Sequence, residues 1–234
     1  MQLLPLGDQA VLAYCHDEDA AGRFAHQVRG GLFPWVIDVV QAYTSVAVFY
    51  DLATIDFAQA ARHLLPMENS NAAEETGGSL FTIPCCYELG LDWPRLEQHT
   101  GLAAANIIEL HCHTVYTVYA IGFCPGFPYL GYVPAAIAGV PRLPAPRLRV
   151  AAGSVGLTGR QTGIYSEERP GGWNIVGRTP LELVNVHDGY FPLRTGDRVQ
   201  FQRIDETTFH ERVGERLPTG GAIRQPIISA GLRQ

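Results

Sequence analysis

GFCPGFPYLGYVP at residues 122–134 and GSVGLTGRQTGIYSEERPGGWNIVGRTP at residues 153–180 decide the fold. No other part of the chain is as dense in glycine, proline and aromatic side chains. Gly122, Gly126, Gly131, Gly153, Gly156, Gly159, Gly163, Gly171, Gly172 and Gly177 interrupt short apolar runs. A folded chain keeps glycine mainly for tight turns or for close backbone approach. The flanking prolines fix the loop dihedrals. Arg160, Gln161, Arg169, Asn174 and Arg178 supply the polar groups between the apolar runs. The pattern predicts a β-rich domain whose rigid loops define a recess rimmed by guanidinium and amide groups. The plainer alternative takes the same glycines as hairpin turns of a barrel.

Upstream, SLFTIPCCY (79–87) reads as the strand that opens this unit. Two helices follow at 92–99 and 103–111, split at Thr100-Gly101, and from HTVYTVYAIGF (113–123) the pattern is strand and turn. Downstream, the turn Thr195-Gly196-Asp197 precedes the strand VQFQRI (199–204). Many short strands at this spacing predict a closed barrel. Residues 1–67 form a separate α/β pattern: strand 10–14, helix 18–29, strands 36–43 and 45–51, and a helix capped by Asp56. Strand, helix, strand, strand, helix matches a ferredoxin-like plan. The expected organisation is therefore an N-terminal domain over 1–67, a polar linker over 68–78, a barrel over 79–205 and an extension over 206–234.

With 234 residues, 47% hydrophobic and 17% charged, the chain is long enough for a real core and too apolar for disorder. A net charge of −6 argues against non-specific nucleic-acid binding. All 17 basic residues are arginine. Without lysine there is no Walker-type phosphate loop, no Schiff base and no biotin attachment site in this chain. No 18-residue apolar run and no cleavable leader pattern occurs, so a cytoplasmic protein with no membrane span is expected. The five cysteines, at 15, 85, 86, 112 and 124, are too irregular for a disulfide framework. Alternation along a strand would put Cys85 and Cys86 on opposite faces, with one of them buried.

His111, Cys112 and His113 stand where helix gives way to strand, and a His-x-His pair on a strand would be half a metal site. No further ligands follow at a standard spacing, so no metal is expected; His111 keeps a proton-transfer role or a place at a helix C-terminus. Ser154 lacks the glycine two residues earlier that a nucleophile elbow needs. Cys124 has no neighbouring base in sequence. Arg142, Arg147 and Arg149, in the proline-stiffened PRLPAPRLRV, suit carboxylate or phosphate recognition, against the alternative of surface ion pairs. Gln161-Thr162 would read an amide or satisfy a turn, and Trp173 would wall a pocket or fill the core.

GFCPGFPYLG, the Pro-Arg pairs at 141–142 and 146–147, AGSVGLTGRQTGIY, PGGWNIVGRTP and TGDRVQF resemble, in order and spacing, the 5-oxoprolinase B-subunit family, also called allophanate hydrolase subunit 1. LGDQAVLAY and YTSVAVFYD resemble its N-terminal unit. The same family includes a bacterial inhibitor of a sporulation histidine kinase and resembles part of the carboxyltransferase region of urea carboxylase. Cys124, Ala151 and residues 206–234 depart from the family pattern.

The resemblance implies an α+β fold, a small N-terminal ferredoxin-like domain followed by a cyclophilin-like β-barrel. It implies a share in ATP-dependent opening of the lactam 5-oxo-L-proline to glutamate, with partner subunits A and C. ATP with Mg2+ is implied for the complex, and no cofactor is assigned to this chain. Activating a resonance-stabilised lactam by phosphorylation depends on positioning and charge stabilisation. On this resemblance His111, Arg142 and Arg147 are the candidate catalytic residues, the arginines holding phosphate or carboxylate and His111 relaying a proton. Gly122, Phe123, Pro125, Gly126, Gly153, Gln161, Thr162, Gly163 and Arg178 are the candidate substrate-binding residues. The alternatives are a binding module that inhibits a sensor histidine kinase, and a subunit of an allophanate- or urea-type amide hydrolase or carboxyltransferase.

Overall fold

The computed structural model describes residues 1–69 and 78–217. The chain divides into two compact units, 1–76 and 77–234. In the first, strands β1 (Gln2–Leu6), β2 (Ala10–Tyr14), β3 (Val36–Ala42) and β4 (Ser45–Tyr50) form one antiparallel sheet in the order β1-β2-β4-β3. Helix α1 (Glu18–Gly30) starts where the Asp17 carboxylate accepts the Ala20 N–H at 2.7 Å. Helix α2 (Phe57–Leu64) starts with a reciprocal capping box between Asp56 and Gln59. Phe24, Val28 and Leu64 pack with Val11, Val39, Val46 and Val48 in one core. Strand β1 was not expected. It occupies the sheet edge that a ferredoxin-like plan gives to a strand following the second helix, so the connection order differs from that plan.

The second unit contains β5 (Leu80–Cys86), α3 (Trp93–Thr100), α4 (Ala104–His113), β6 (Val115–Ile121), β7 (Pro128–Gly131), β8 (Arg147–Val150), β9 (Ser154–Thr158), β10 (Gln161–Ile164), β11 (Arg169–Gly171), β12 (Asn174–Arg178), β13 (Arg198–Ile204) and α5 (Glu206–Glu211). Among the described residues seven strands close a barrel in the order β10-β7-β6-β13-β5-β12-β9, while β8 and β11 form a two-stranded ribbon. The α+β class and the closed barrel are as expected. Closure relies on β5 and β13, which pair in parallel from Leu80–Arg198 to Cys86–Ile204. Alternate residues point inward, and Ile83, Val118, Leu130, Leu157, Ile164, Val176 and Phe201 meet in the interior with Leu96 of α3 and Ile107 of α4.

Two details differ from expectation. Cys85 and Cys86 are both buried, because β5 is covered on both faces. Residues 206–217 are part of the barrel's fold and not an extension: Phe209 is buried and Leu217 joins the interior core. Residues 218–234, and 70–77 of the expected linker, lie outside the described residues. Among the described residues no helix is long and apolar enough to cross a membrane.

Candidate functional site

The last turn of helix α4 places His111 inside the barrel, 1% exposed. Its Nε2 lies 2.9 Å from Thr162 Oγ1, and its Nδ1 lies 2.7 Å from Tyr87 Oη. Thr162 Oγ1 donates to the Gly156 carbonyl, which can only accept. Nε2 therefore carries the ring proton and Nδ1 accepts from Tyr87. The Tyr87 hydroxyl in turn accepts from Cys112 Sγ. The ring also stacks on Phe201 at 4.6 Å. Burial pushes the His111 imidazole down to about 3 and the Tyr87 phenol well up, so both are neutral near pH 7.

This placement corrects the strand picture of the His-x-His pair. Both histidines lie on α4, where residues two apart face different ways. His111 is inside, while His113 is exposed and contacts the Glu109 carbonyl. Among the described residues no cluster of three potential metal ligands exists. His111 and Thr162 spend their polar atoms on each other and on the barrel, out of reach of a solvent-borne substrate.

A different layer covers the outside of β7, β10, β9 and β12. Phe127, Tyr165, Trp173 and Ile175 are buried there with Cys124 and Val150, and Tyr129 packs against them. The rings meet edge to face, Phe127 with Tyr165 at 5.3 Å and with Trp173 at 5.6 Å. Two glycines make the seat. A Cβ on Gly163 would lie 3.0 Å from the Phe127 ring, and one on Gly156 3.0 Å from Trp173 Cβ. Phe123 stands above the layer, 59% exposed, edge-on to Phe127 and Tyr165. Its φ of +69° is left-handed, a conformation that costs a non-glycine residue about 1–3 kcal/mol and clusters at functional sites.

The proline-rich segment 141–147 is bound to the edge of this layer. Asp92 accepts from Arg147 Nη2 at 2.7 Å with one oxygen and from the Ile175 N–H at 2.6 Å with the other. Arg95 reaches the Asn174 side chain and the carbonyls of Pro141 and Arg142. Leu143 N–H bonds the Gly172 carbonyl. Arg147 Nη1 is buried without a hydrogen-bond partner. The exposed guanidinium of Arg142 makes no hydrogen bond or ion pair among the described residues. Its charge acts on the Tyr129 and Tyr165 hydroxyls, and that of Arg147 on Tyr165, opposing the rise that burial imposes on both phenols.

The structure thus brings together Phe123, Pro125, Arg142 and Arg147 around the aromatic layer, with Gly163 beneath it. It separates the others. Arg178 lies at the far end of β12 from Asn174, donating to the Ala152 carbonyl with its guanidinium 5.7 Å from the Phe209 ring. Gly153 abuts the Thr179 carbonyl, and Gly126 abuts Val184. Gln161 is half-buried at the β9–β10 turn, and Gly122 borders open space.

Two surface depressions lie in the first unit and contain none of these residues. One of about 530 Å³ is lined by Trp35, Thr54, Ile55, Gln59, Arg62 and His63, and one of about 220 Å³ includes Cys15, Arg23 and Phe24. In the first, Gln59 is engaged in the α2 cap, Thr54 with Asp51 and Arg62 Nε with the Ala58 carbonyl, while the His63 ring packs beside Phe33 and Trp35. The barrel's outer face carries more free chemistry. Tyr129, Tyr165, Asp92 and Arg95 were not anticipated there. Glycines next to inward-pointing apolar side chains, as Gly156 between Val155 and Leu157 and Gly163 before Ile164, face outward and are the sequence signal that rings lie on that face.

Residues 1–190 match the carboxyltransferase domain, subdomain C and D. The B subunit of 5-oxoprolinase from Bacillus subtilis (strain 168) is 34% identical over 234 residues, covering 89% of this chain and 95% of that protein. The crystal structure of TTHA0988 superposes with a TM-score of 0.73 at 32% identity, covering 85% of this chain. This chain spans only 40% of TTHA0988. The Kluyveromyces lactis urea carboxylase, 17% identical with a TM-score of 0.69, shares the fold over 89% of this chain and 22% of its own.

Proposed function

Because this chain belongs to the carboxyltransferase-domain family, subdomains C and D, and is similar nearly end to end to the B subunit of 5-oxoprolinase, we propose that it serves as the B subunit of an ATP-dependent 5-oxoprolinase. In this reading it helps to open the lactam 5-oxo-L-proline to L-glutamate, together with subunits A and C. The observation that carries the reading is the 34% identity sustained over 95% of the Bacillus protein.

ATP with Mg2+ is expected for the complex, and Gly126, Gly153 and Gly163 of this chain offer it no close backbone approach. The space a Cβ would take at Gly153, Gly126 and Gly163 is held by the Thr179 carbonyl, Val184 and Phe127, so these residues form no cradle for phosphates. The nucleotide is assigned to the complex through a partner chain. Arg142 and Arg147 keep the role of holding an anionic group beside Phe123 and Pro125. His111 and Thr162 support the barrel from within.

Co-expression with subunits A and C, omitting each in turn, tests this. Glutamate release from 5-oxoproline should require ATP and vanish when this chain is left out. A stable complex without glutamate release would move the assignment to an allophanate- or urea-type amide. A second reading, a binding module for a sensor histidine kinase, is favoured by the exposure of Phe123 and of Leu148, 86% exposed on the β8–β11 ribbon. Inhibition of kinase autophosphorylation by this chain, with no complex formed with A and C, would establish it instead.

A further inference from the structure

We propose that the outer aromatic layer and the two guanidiniums at its edge form a binding site for a small ring-bearing carboxylate, the ring lying against Tyr129, Tyr165 and Phe123 and the carboxylate held by Arg142 and Arg147. The identification of that ring as 5-oxo-L-proline rests on the 5-oxoprolinase reading; the carboxylate site itself does not.

Unsatisfied groups converge there. Arg147 uses Nη2 on Asp92 and leaves Nη1 buried without an acceptor, a state that a second carboxylate oxygen would relieve. Arg142, fixed through its backbone by Arg95, presents a guanidinium with no partner among the described residues. The neighbouring arginines differ: Arg149 is paired with Glu168 and Arg169 with Glu167. Arg147 is paired as well, with Asp92, so Arg142 is the one of these four left without a carboxylate among the described residues, and its charge reaches the Tyr165 hydroxyl.

The apolar half of the site has the same one-sided character. Phe127 and Trp173 are packed away, yet Phe123 is held in a left-handed backbone conformation with its ring in solvent. Such a ring gains little from the fold itself and is suited to close over a flat ligand edge-on, as it already stands to Tyr165 at 6.2 Å. With the carboxylate on the arginines, the lactam carbonyl on the other side of the ring nitrogen is left facing outward. A partner chain carrying the nucleotide would reach it from there. The site binds and orients, and the partner reacts.

The test uses the full chain alone, without ATP, and ligand-observed NMR titrations of three probes: 5-oxo-L-proline, the uncharged ring 2-pyrrolidinone, and acetate. The expected result is that 5-oxoproline binds at least about tenfold more tightly than either fragment. Arg142→Gln, at an exposed position with no internal partner, should erase that preference while leaving 2-pyrrolidinone unaffected. Phe123→Ala should weaken both rings. Equal binding of 5-oxoproline and 2-pyrrolidinone, no binding of 5-oxoproline, or an unchanged affinity in Arg142→Gln would overturn the site. The enzyme reading fails separately. An inactive reconstituted complex beside an Arg142-dependent preference for the carboxylated ring keeps the site and removes the lactamase. An active complex beside no such preference does the reverse.

Discussion

His111 reaches the barrel interior as a neutral ring with both nitrogens occupied, and its protonation is thereby tied to folding. In the unfolded chain the ring titrates near its ordinary value of 6.5, whereas burial holds the folded ring down to about 3. As pH falls below 6.5 the unfolded chain takes up a proton that the folded one refuses. The contribution is therefore intact above pH 6.5 and is lost progressively between 6.5 and 3, by about 1.4 kcal/mol per pH unit. Urea titrations of His111→Gln and the native protein at about pH 6 and pH 4 should differ in slope by this amount. Parallel slopes would mean that the folded ring is already charged. Gly163 offers an independent check. A methyl group there must displace the Pro128 carbonyl at 2.8 Å or the Phe127 ring at 3.0 Å, so Gly163→Ala should cost about 1–3 kcal/mol by urea unfolding and reduce the near-ultraviolet aromatic dichroism.

Among the elements, α3 has an unusual start. Asp92 occupies its N-cap position but makes no side-chain cap, because the carboxylate instead ties Arg147 and the backbone of β12 to the helix. Asp92→Ala should destabilise the barrel by about 2–4 kcal/mol, well above the loss of an ordinary cap, because it strands a guanidinium and a buried N–H. Retained stability in chemical denaturation would remove the cross-link from the account. Elements with strong local signals were legible: the Asp-capped helices α1 and α2, the β-branched pair β3 and β4, and the short strands between glycines. Strand β1 was not, since QLLPL neither alternates nor tolerates Pro5 away from a sheet edge. Helix α4 runs on to His113, and that short overrun reversed the meaning of the His-x-His pair. The glycines at 156 and 163 were visible, but the rings they seat come from other strands, and no local pattern encodes that pairing.

For the molecule as a whole, the barrel closes only when β5 meets β13, and the residues after β13 seal it. Leu217 lies in the interior core although α5 and a turn separate it from the last barrel strand. Leu217→Ala should therefore lower stability by about 2–4 kcal/mol. Val213→Ala nearby, at a position 61% exposed, should stay within about 0.5 kcal/mol; equal thermal midpoints for the two variants would put Leu217 outside the core. The hydrogen-bond chain from Cys112 through Tyr87, His111 and Thr162 to Gly156 then acquires a second meaning. Each of its protons has an assigned donor and acceptor, and Tyr87, His111 and Thr162 are all buried. Dissolved in heavy water, the His111 Nε2 proton would be replaced only as often as the barrel parts, so the lifetime of its magnetic resonance signal is a clock for that event.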